Sequence, residues 1–525
     1  MSSLSMLLTC TPVACTSAEI APKYMAYKFT KSTTGGQQII FNGWEKGVAN
    51  SPLEGLGQVV NMNVYSKPGR AIIQQKATQV LSGMSGIGKW FVRNPLNQDI
   101  YSLDSSGVVR ISTDNGDTWS TVSGNTTTSA SGNGLGIWLS PNDKTKAFLF
   151  VARNALLDVY NISTTTWTNG WQSLESTSGD HMMYTGLDNI LYIGNRSYVA
   201  TFEEVLGSTF VPGTSSTYKW NNKALDIPSQ YDIQTLSPLG TNLMIGASTG
   251  FVGSTGLSSD SQIFPWDRVS DTFTLPIQIN DLGVNQLFTR NNILYINSGL
   301  KGDIRYTNGS DTQMFRELYN LNLENTLRPY AGAMNALGEE ILFGVGVRGL
   351  STDTGPLGVY STKDETYVLR NTVSTGETTK VQIGAILAIS DSEYVFSWAK
   401  DTGSTTRGID KVGKDSLLYS NYLAYIETDL VYVGDFIRSQ NFSRIQFQLA
   451  KPLVGGQGIK IEYRKNLSDS FTTIGTWDFA TIGSRLSYES DASINNAEWI
   501  QLKISLNPST NGLLSPELIH VILKE

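Results

Sequence analysis

Seven short apolar runs recur along the middle of this 525-residue chain, and they limit its possible folds more than any other feature. They stand at 89–92 (Lys-Trp-Phe-Val), 148–151 (Phe-Leu-Phe-Val), 190–193 (Ile-Leu-Tyr-Ile), 242–245 (Asn-Leu-Met-Ile), 293–296 (Ile-Leu-Tyr-Ile), 341–344 (Ile-Leu-Phe-Gly) and 394–397 (Tyr-Val-Phe-Ser). The spacing is about 50 residues. Most runs stop within a few residues at Gly, Asn or Ser, as at Gly194-Asn195, Gly246 and Asn297-Ser298-Gly299. A short apolar run that ends at a turn residue is the mark of a buried strand. A buried helix could supply one such run, but helices are longer and would not end at a turn residue each time.

A second feature lies between the first two runs. Ser112-Thr113-Asp114-Asn115-Gly116-Asp117-Thr118-Trp119 has the form Ser-x-Asp-x-Gly-x-Thr-Trp. Here Asp114 can accept hydrogen bonds from turn amides, Gly116 can take a positive φ, and Trp119 can pack beneath a hairpin. The segment resembles the Asp box, a turn found on the outer hairpins of β-propeller blades. Ser112, Asp114, Gly116, Thr118 and Trp119 are its expected structural residues. Leu157-Asp158-Val159-Tyr160-Asn161, followed by a polar turn and Trp167, resembles the kelch half-repeat without its Gly-Gly pair. The period of the apolar runs is also near that of WD40 and kelch blades. These resemblances imply a propeller of about six or seven divergent blades.

Composition agrees with turn-rich β structure. Charged residues make up 16% of the chain, against about 25% in an average domain, while 40% is hydrophobic and 10% aromatic. That aromatic content argues against disorder. The net charge of −7 and the absence of a long basic run argue against sequence-specific nucleic-acid binding. No apolar stretch reaches the ~20 residues of a membrane-spanning helix. Residues 1–15 include Met6-Leu7-Leu8, but no Lys or Arg precedes Lys23 and Pro12 interrupts the apolar part, so a secretory leader is not expected. Cys10 and Cys15 are the only cysteines, and only His181 and His520 could serve either as a base, which disfavours a catalytic thiol.

Three regions emerge: an irregular segment at 1–35, a propeller at 36–415 and a β-sandwich at 416–525. The last shows period-two alternation at 426–433, 442–449, 459–464 and 498–506, as expected of strands with one buried face. The polar stretch 403–408 fits a long blade hairpin or a domain boundary. Toward the amino terminus, Phe41-Asn42-Gly43-Trp44, an Asn-rich strand at 56–65, Pro68-Gly69 and a short strand through Ile72-Ile73 resemble the opening of bacteriophage tail propeller proteins, the nozzle proteins of short-tailed phages being the nearest type. The carboxy-terminal strand order resembles sandwich modules that adjoin propellers in such tails.

No constellation for catalysis stands out. The Asp box suggests a sialidase, whose chemistry needs three arginines on a carboxylate, a Tyr nucleophile with a Glu, and an Asp acid. The early Arg-Ile-Pro of that family is missing, there is one clear Asp box where sialidases carry several, and Asp226, Asp232, Asp267 and Asp281 are scattered. Asp114–Asp117 lacks the closing Glu of an EF-hand loop. Two histidines make no zinc site by themselves, and His181 is expected as a packed or surface residue near a strand at 182–184. Residues 344–349 imitate a Gly-rich nucleotide loop, but no helical pattern follows, so a strand and turn are expected. Sequons such as Asn161-Ile162-Ser163 and Asn466-Leu467-Ser468 carry no weight in a chain this rich in Asn, Ser and Thr. Trp138, Trp167, Trp171, Trp220 and Trp266 could stack on sugars, though propeller hairpins also bury Trp for packing.

The expectation is therefore an all-β chain, a propeller followed by a β-sandwich, with no enzymatic activity, catalytic residue, metal or cofactor. The resemblance to tail proteins implies a virion protein of a phage tail, self-associated into a ring around the genome channel. It would contact other tail proteins (an adaptor, fibres or neighbouring rings), and DNA would pass without sequence-specific contact. The alternative is a carbohydrate-binding propeller, with or without sialidase-like hydrolysis.

Overall fold

The computed structural model describes residues 27–31, 37–46, 56–124, 131–175, 179–249, 260–281, 283–299, 303–309, 312–316, 330–346, 357–363, 366–401, 405–433 and 439–525. Cys10 and Cys15 lie outside them. The architecture is nearly all β, with one four-residue α-helix, Phe479–Ile482, among the described residues.

Seven four-stranded antiparallel blades form a propeller. Blades 1 to 6 span 88–121, 132–173, 183–226, 231–279, 284–316 and 334–371, each built in strict chain order. The first strand of each blade touches the first strand of the next, and that of blade 7, Val381–Ala388, returns to Gly88–Arg93 of blade 1. First strands therefore line the axis. Blade 7 takes three strands from 381–412 and its outermost from Thr78–Ser82, which pairs antiparallel with Thr405–Val412. The ring is thus closed by a strand borrowed from the amino-terminal part. Of the polar stretch 403–408, residues 405–408 open the third strand of blade 7, and 403–404 lie outside the described residues.

Six of the seven apolar runs are second strands: Ala147–Arg153, Leu191–Asn195, Asn242–Thr249, Ile293–Ser298, Glu340–Val345 and Tyr394–Asp401. A second strand has bonded neighbours on both edges and other blades against both faces, so it reads as a continuous apolar run instead of alternating. Phe148, Phe150, Leu191, Leu243 and Leu294 are fully buried. The run at 89–92 is different. It belongs to the innermost strand of blade 1, whose second strand is Ile100–Asp104.

The sandwich is built from strands at 27–60 and at 424–524. One sheet orders Tyr27–Lys31, Gln37–Phe41, Leu518–Lys524, Gln440–Leu449 and Ser487–Ala497. The other orders Leu56–Val60, Ala424–Thr428, Trp499–Asn507, Gly458–Arg464 and Thr472–Asp478. Phe41, Val59, Ile426, Phe447, Ile461, Ile504 and Val521 are buried in one core. This corrects the expected boundaries. Residues 27–31, 37–41 and 56–60 belong to the sandwich, and the propeller begins at Thr78 instead of residue 36. The strands involved pair with partners hundreds of residues away, as in Gln38 with Lys524, so nothing local marks their allegiance.

The two bodies share backbone pairing. Val60 pairs in parallel with Leu369 on the outer strand of blade 6, Thr366–Asn371, so that blade 6 continues into a sandwich sheet as a ten-stranded whole. Directly after this pairing the chain turns at Asn61, with φ of 55°, and this splits the single strand expected at 56–65.

Candidate functional site

Three places could carry function: the axial channel, the outer hairpins and the junction of propeller and sandwich.

At one mouth of the channel, groups from non-adjacent blades meet. Lys89, on the innermost strand of blade 1, puts Nζ 2.5 Å from Asp180 Oδ1 in the segment leading into blade 3, and 5.6 Å from the ring centre of Tyr330 in the segment leading into blade 6. Gln286 of blade 5 donates from Nε2 to the Tyr330 carbonyl at 2.5 Å. Beside Asp180, His181 is fully buried, with ring nitrogens 2.8 Å from the Gly194 carbonyl and 3.0 Å from the Asn154 carbonyl. The side chains at this end are engaged with one another across the axis. Nothing local signals this meeting, since Lys89, Asp180 and Tyr330 lie far apart in the chain.

The 112–119 segment forms the hairpin turn between the two outer strands of blade 1, Val109–Ser112 and Ser120–Thr121. Asp114 Oδ1 accepts from the Thr118 amide at 2.9 Å and from Ser112 Oγ at 2.8 Å, and Oδ2 accepts from Thr118 Oγ1 at 2.5 Å. The Gly116 amide donates to Ser112 Oγ at 2.8 Å. Asn115 and Gly116 take φ of 57° and 87°. Burial raises the Asp114 carboxyl, but the hydrogen bonds from Thr118 and Ser112 outweigh it and hold the group below the usual carboxylate range. Trp119 donates to the Gly116 carbonyl at 3.2 Å and packs on Phe91 with ring centres 5.7 Å apart. The turn leans on blade 7: a Cβ at Gly116 would lie 2.6 Å from Val395, and Asp117 pairs with Lys411 at 2.8 Å.

The corresponding hairpin of blade 2 joins Leu156–Asn161 to Thr166–Ser173. Asn161 Oδ1 caps the Ser163 and Thr164 amides, and Trp167 packs on Tyr160 at 4.8 Å. In blade 4, Asp267 caps the Val269 and Ser270 amides, and Trp266 donates to the Ser270 carbonyl. The tryptophans weighed as sugar platforms are packed in this manner. Trp138 is buried against Phe148 and Phe202 and donates to the Asn189 carbonyl, while Trp171 and Trp220 join the rim of the same aromatic cluster.

The charged groups are mostly spent on local pairs. Arg110 binds Asp104 in blade 1, Arg153 binds Asp158 in blade 2, Arg305 binds Asp281 of the loop entering blade 5, and Arg370 binds Glu340 in blade 6. These four arginines sit in four blades, each with its own carboxylate, and form no common clamp. Asp232 lies 3.8 Å from Arg196, Asp267 caps its turn, and Asp226 is exposed at the end of its strand. Among the described residues no three His, Cys, Asp or Glu side chains gather as a metal site, and no helix is long and apolar enough to cross a membrane.

At the junction, Asn61 Oδ1 accepts from the Thr372 amide at 3.1 Å and its Nδ2 donates to the Leu423 carbonyl at 3.2 Å. Asn371 donates to the Gln75 carbonyl at 2.7 Å, and Tyr419 donates to the Thr372 carbonyl at 3.0 Å. A groove of about 560 Å³ opens beside these contacts, between the sandwich and blades 6 and 7. At its edge, Glu517 takes Lys67, Arg70 and Lys451 at 2.6, 2.5 and 3.1 Å. Burial acts to raise this carboxyl, but the three cations dominate and hold it down at about 2.

No protein-family model and no curated protein matches this chain. Among solved structures it is similar to the β-propeller domain of Myceliophteria thermophila Cps50 (Swd1), at 10% identity and a TM-score of 0.38, over 62% of this chain and 98% of that one. It is similar to YCF48 from Cyanidioschyzon merolae at 11% identity and a TM-score of 0.40, over 63% and 98%. A chain of a mitotic checkpoint complex aligns at 10% identity and a TM-score of 0.39, over 78% and 99%. The chain is a β-propeller, as its own closed ring of four-stranded blades shows.

Proposed function

We propose that this protein is a structural subunit of a bacteriophage tail, a nozzle-like component that assembles as a ring around the genome channel. One observation carries the reading: propeller and sandwich are joined through a shared sheet, with strands at 27–60 and 424–524 woven together in the sandwich. Such a body is braced across its junction and suits permanent neighbours in a symmetric assembly. The resemblance of the 41–73 region to tail propeller proteins supplies the biological setting. The local pairing of the blade arginines supports a scaffold over a glycosidase, because a sialidase needs several of them converging on one carboxylate. In this reading DNA passes through the ring of subunits. The subunit's own axis is crossed by the contacts of Lys89 with Asp180 and Tyr330. A net charge of −7 fits a wall from which phosphate is repelled.

The test is mass spectrometry and imaging of intact particles, alongside a glycan-hydrolysis screen of the purified protein. Presence in particles as a ring, with no turnover of sialosides or other glycans, is expected. Absence from particles together with robust glycan cleavage would move the assignment to the carbohydrate-active alternative.

A further inference from the structure

A ring needs two different surfaces on each subunit, one to give and one to receive. Two apolar features fit that requirement, and this inference rests on the ring reading above.

The first lies on the loops of blades 3 and 4. Leu187 is 98% exposed and Leu206 is 93%, on two loops of blade 3, while Val269 and Leu275 are each 87% exposed on a loop of blade 4. Single exposed aliphatics are ordinary, but four nearly bare ones on neighbouring loops are not. The loops that carry them are held in place. Arg268, beside Val269, donates to Asp188, beside Leu187, at 3.1 Å and to the Thr241 carbonyl at 3.1 Å. Asn142 of blade 2 donates to the carbonyls of Val205 and Ser208 on either side of Leu206, at 2.9 Å each. These contacts hold the tips in water before any partner arrives.

The second feature is the groove between the sandwich and blades 6 and 7. Ile72, Ile73, Leu418, Val454 and Leu513 line it, and Leu513 and Leu514 at its rim are each 53% exposed. On the tips Asp188, Asp267 and Asp271 stand against Arg268 alone, whereas at the groove edge Lys67, Arg70 and Lys451 gather on the single carboxylate of Glu517. The mildly acidic tips and the basic groove edge are complementary in charge as well as apolar.

The positions matter as much as the chemistry. In a ring of seven blades the seam between blades 3 and 4 stands opposite blade 7, which contributes Asp391 and Ser392 to the groove. Both features also lie at the same end of the blades, where each first strand meets its second and each third meets its fourth. We propose that copies of this chain join head to tail, with the aliphatic loop tips of blades 3 and 4 on one copy entering the groove between sandwich and propeller on the next. A projecting apolar patch and a pocket elsewhere on the same molecule make a heterologous contact that repeats from copy to copy.

Analytical ultracentrifugation of the full chain tests this, using wild type, a tip variant (Leu187→Asp with Val269→Asp) and a groove variant (Leu513→Asp with Leu514→Asp). These positions are exposed, so each variant should melt as wild type does. Wild type is expected to self-associate. Each variant should be a monomer, its dissociation constant raised about 100-fold or more. An equal mixture of the two variants should stop at dimers, because only one intact tip and one intact groove remain per pair. Assembly that survives in either variant overturns this contact while leaving the ring intact. A wild type that stays monomeric at every concentration overturns the contact and the ring together.

Discussion

The seam between blades 2 and 3 and the seam between blades 7 and 1 solve the same packing problem differently. The first is a dense aromatic cluster: Trp138 meets Phe202 at 4.9 Å, Phe148 meets Phe210 at 4.9 Å, and Phe202 meets Phe210 at 4.7 Å. The second has a small buried apolar set of Met84, Val395 and Ile409, supplemented by directional contacts. Ser397 Oγ donates to the Gly88 carbonyl and accepts from the Ala385 amide at 2.9 Å. Arg93 donates to the Ile389 carbonyl at 2.8 Å, and Lys411 reaches Asp117. Blades 2 and 3 are consecutive in the chain, so their register is fixed by connectivity and non-directional burial suffices. Blades 7 and 1 are joined by segments some 300 residues apart, as in Ser397 with Gly88. There no short connection places the two blades, and hydrogen bonds between them specify what connectivity does not.

Three substitutions probe that contrast. The largest effect is expected at the aromatic seam. Trp138→Ala empties a fully buried site and leaves the Asn189 carbonyl unpaired, so urea denaturation should show a loss of about 3–5 kcal/mol. A loss under ~1 kcal/mol would mean the cluster is not what holds blades 2 and 3 together.

The next probe concerns Asp410 of blade 7. It is fully buried and accepts from Trp398 Nε1 at 2.7 Å, from Ser374 Oγ at 2.8 Å and from the Ser374 amide at 2.7 Å. Burial pushes its carboxyl up to about 6 despite those donors. A folded-state value above the unfolded one means that the native protein holds this proton more tightly. Its contribution is therefore most favourable below the unfolded value near 4 and is lost as pH rises through about 6, on the order of 2–3 kcal/mol in all. Glu517, shifted down, acts in the opposite sense at lower pH: its contribution is present above about 4.5 and fades as pH falls toward 2. Asp410→Asn should flatten the fall in stability between about pH 4 and 6. An unchanged pH profile would show that the carboxyl does not titrate in this window.

The smallest effect is expected at the outer turn. Asp114→Ala removes the acceptor for Thr118 and Ser112 and should cost about 1–2 kcal/mol in thermal denaturation, with the fold retained. If the fold survives while a measurable activity disappears, the turn has a chemical role and the structural reading of it is wrong.

The parts of this fold that are legible in the sequence are those whose physics is local or fully buried. Second strands such as Ala147–Arg153 are apolar from end to end because both faces are covered. The second strand of blade 1 escaped detection because it ends in Asp104, which holds Arg110 at 2.7 Å, and carries the polar Ser102. Outermost strands such as Tyr218–Asp226 are largely exposed and carry no periodic signal. The 112–119 turn is readable because its bonds join residues a few positions apart. The channel mouth and the junction are not readable, since Lys89 with Asp180 and Asn61 with Thr372 meet only after the ring and the sandwich exist.

The borrowed strand also sets a timetable. Thr78–Ser82 leaves the ribosome long before its partner Thr405–Val412, with more than 300 residues between them. At about 5–20 residues per second that interval is roughly 15–65 s. Throughout it, the innermost strand of blade 1 faces no seventh blade and the amino-terminal strands have no sandwich to join. The nascent chain carries open strand edges, the kind of surface that pairs with the wrong neighbour, until nearly four-fifths of the protein has been made for the borrowed strand and until Leu518–Lys524 emerges for Gln37–Phe41. Exposed Lys76 and Pro68, just ahead of the waiting strand, are residue types that discourage such mispairing, and they stand where a nascent chain most needs them.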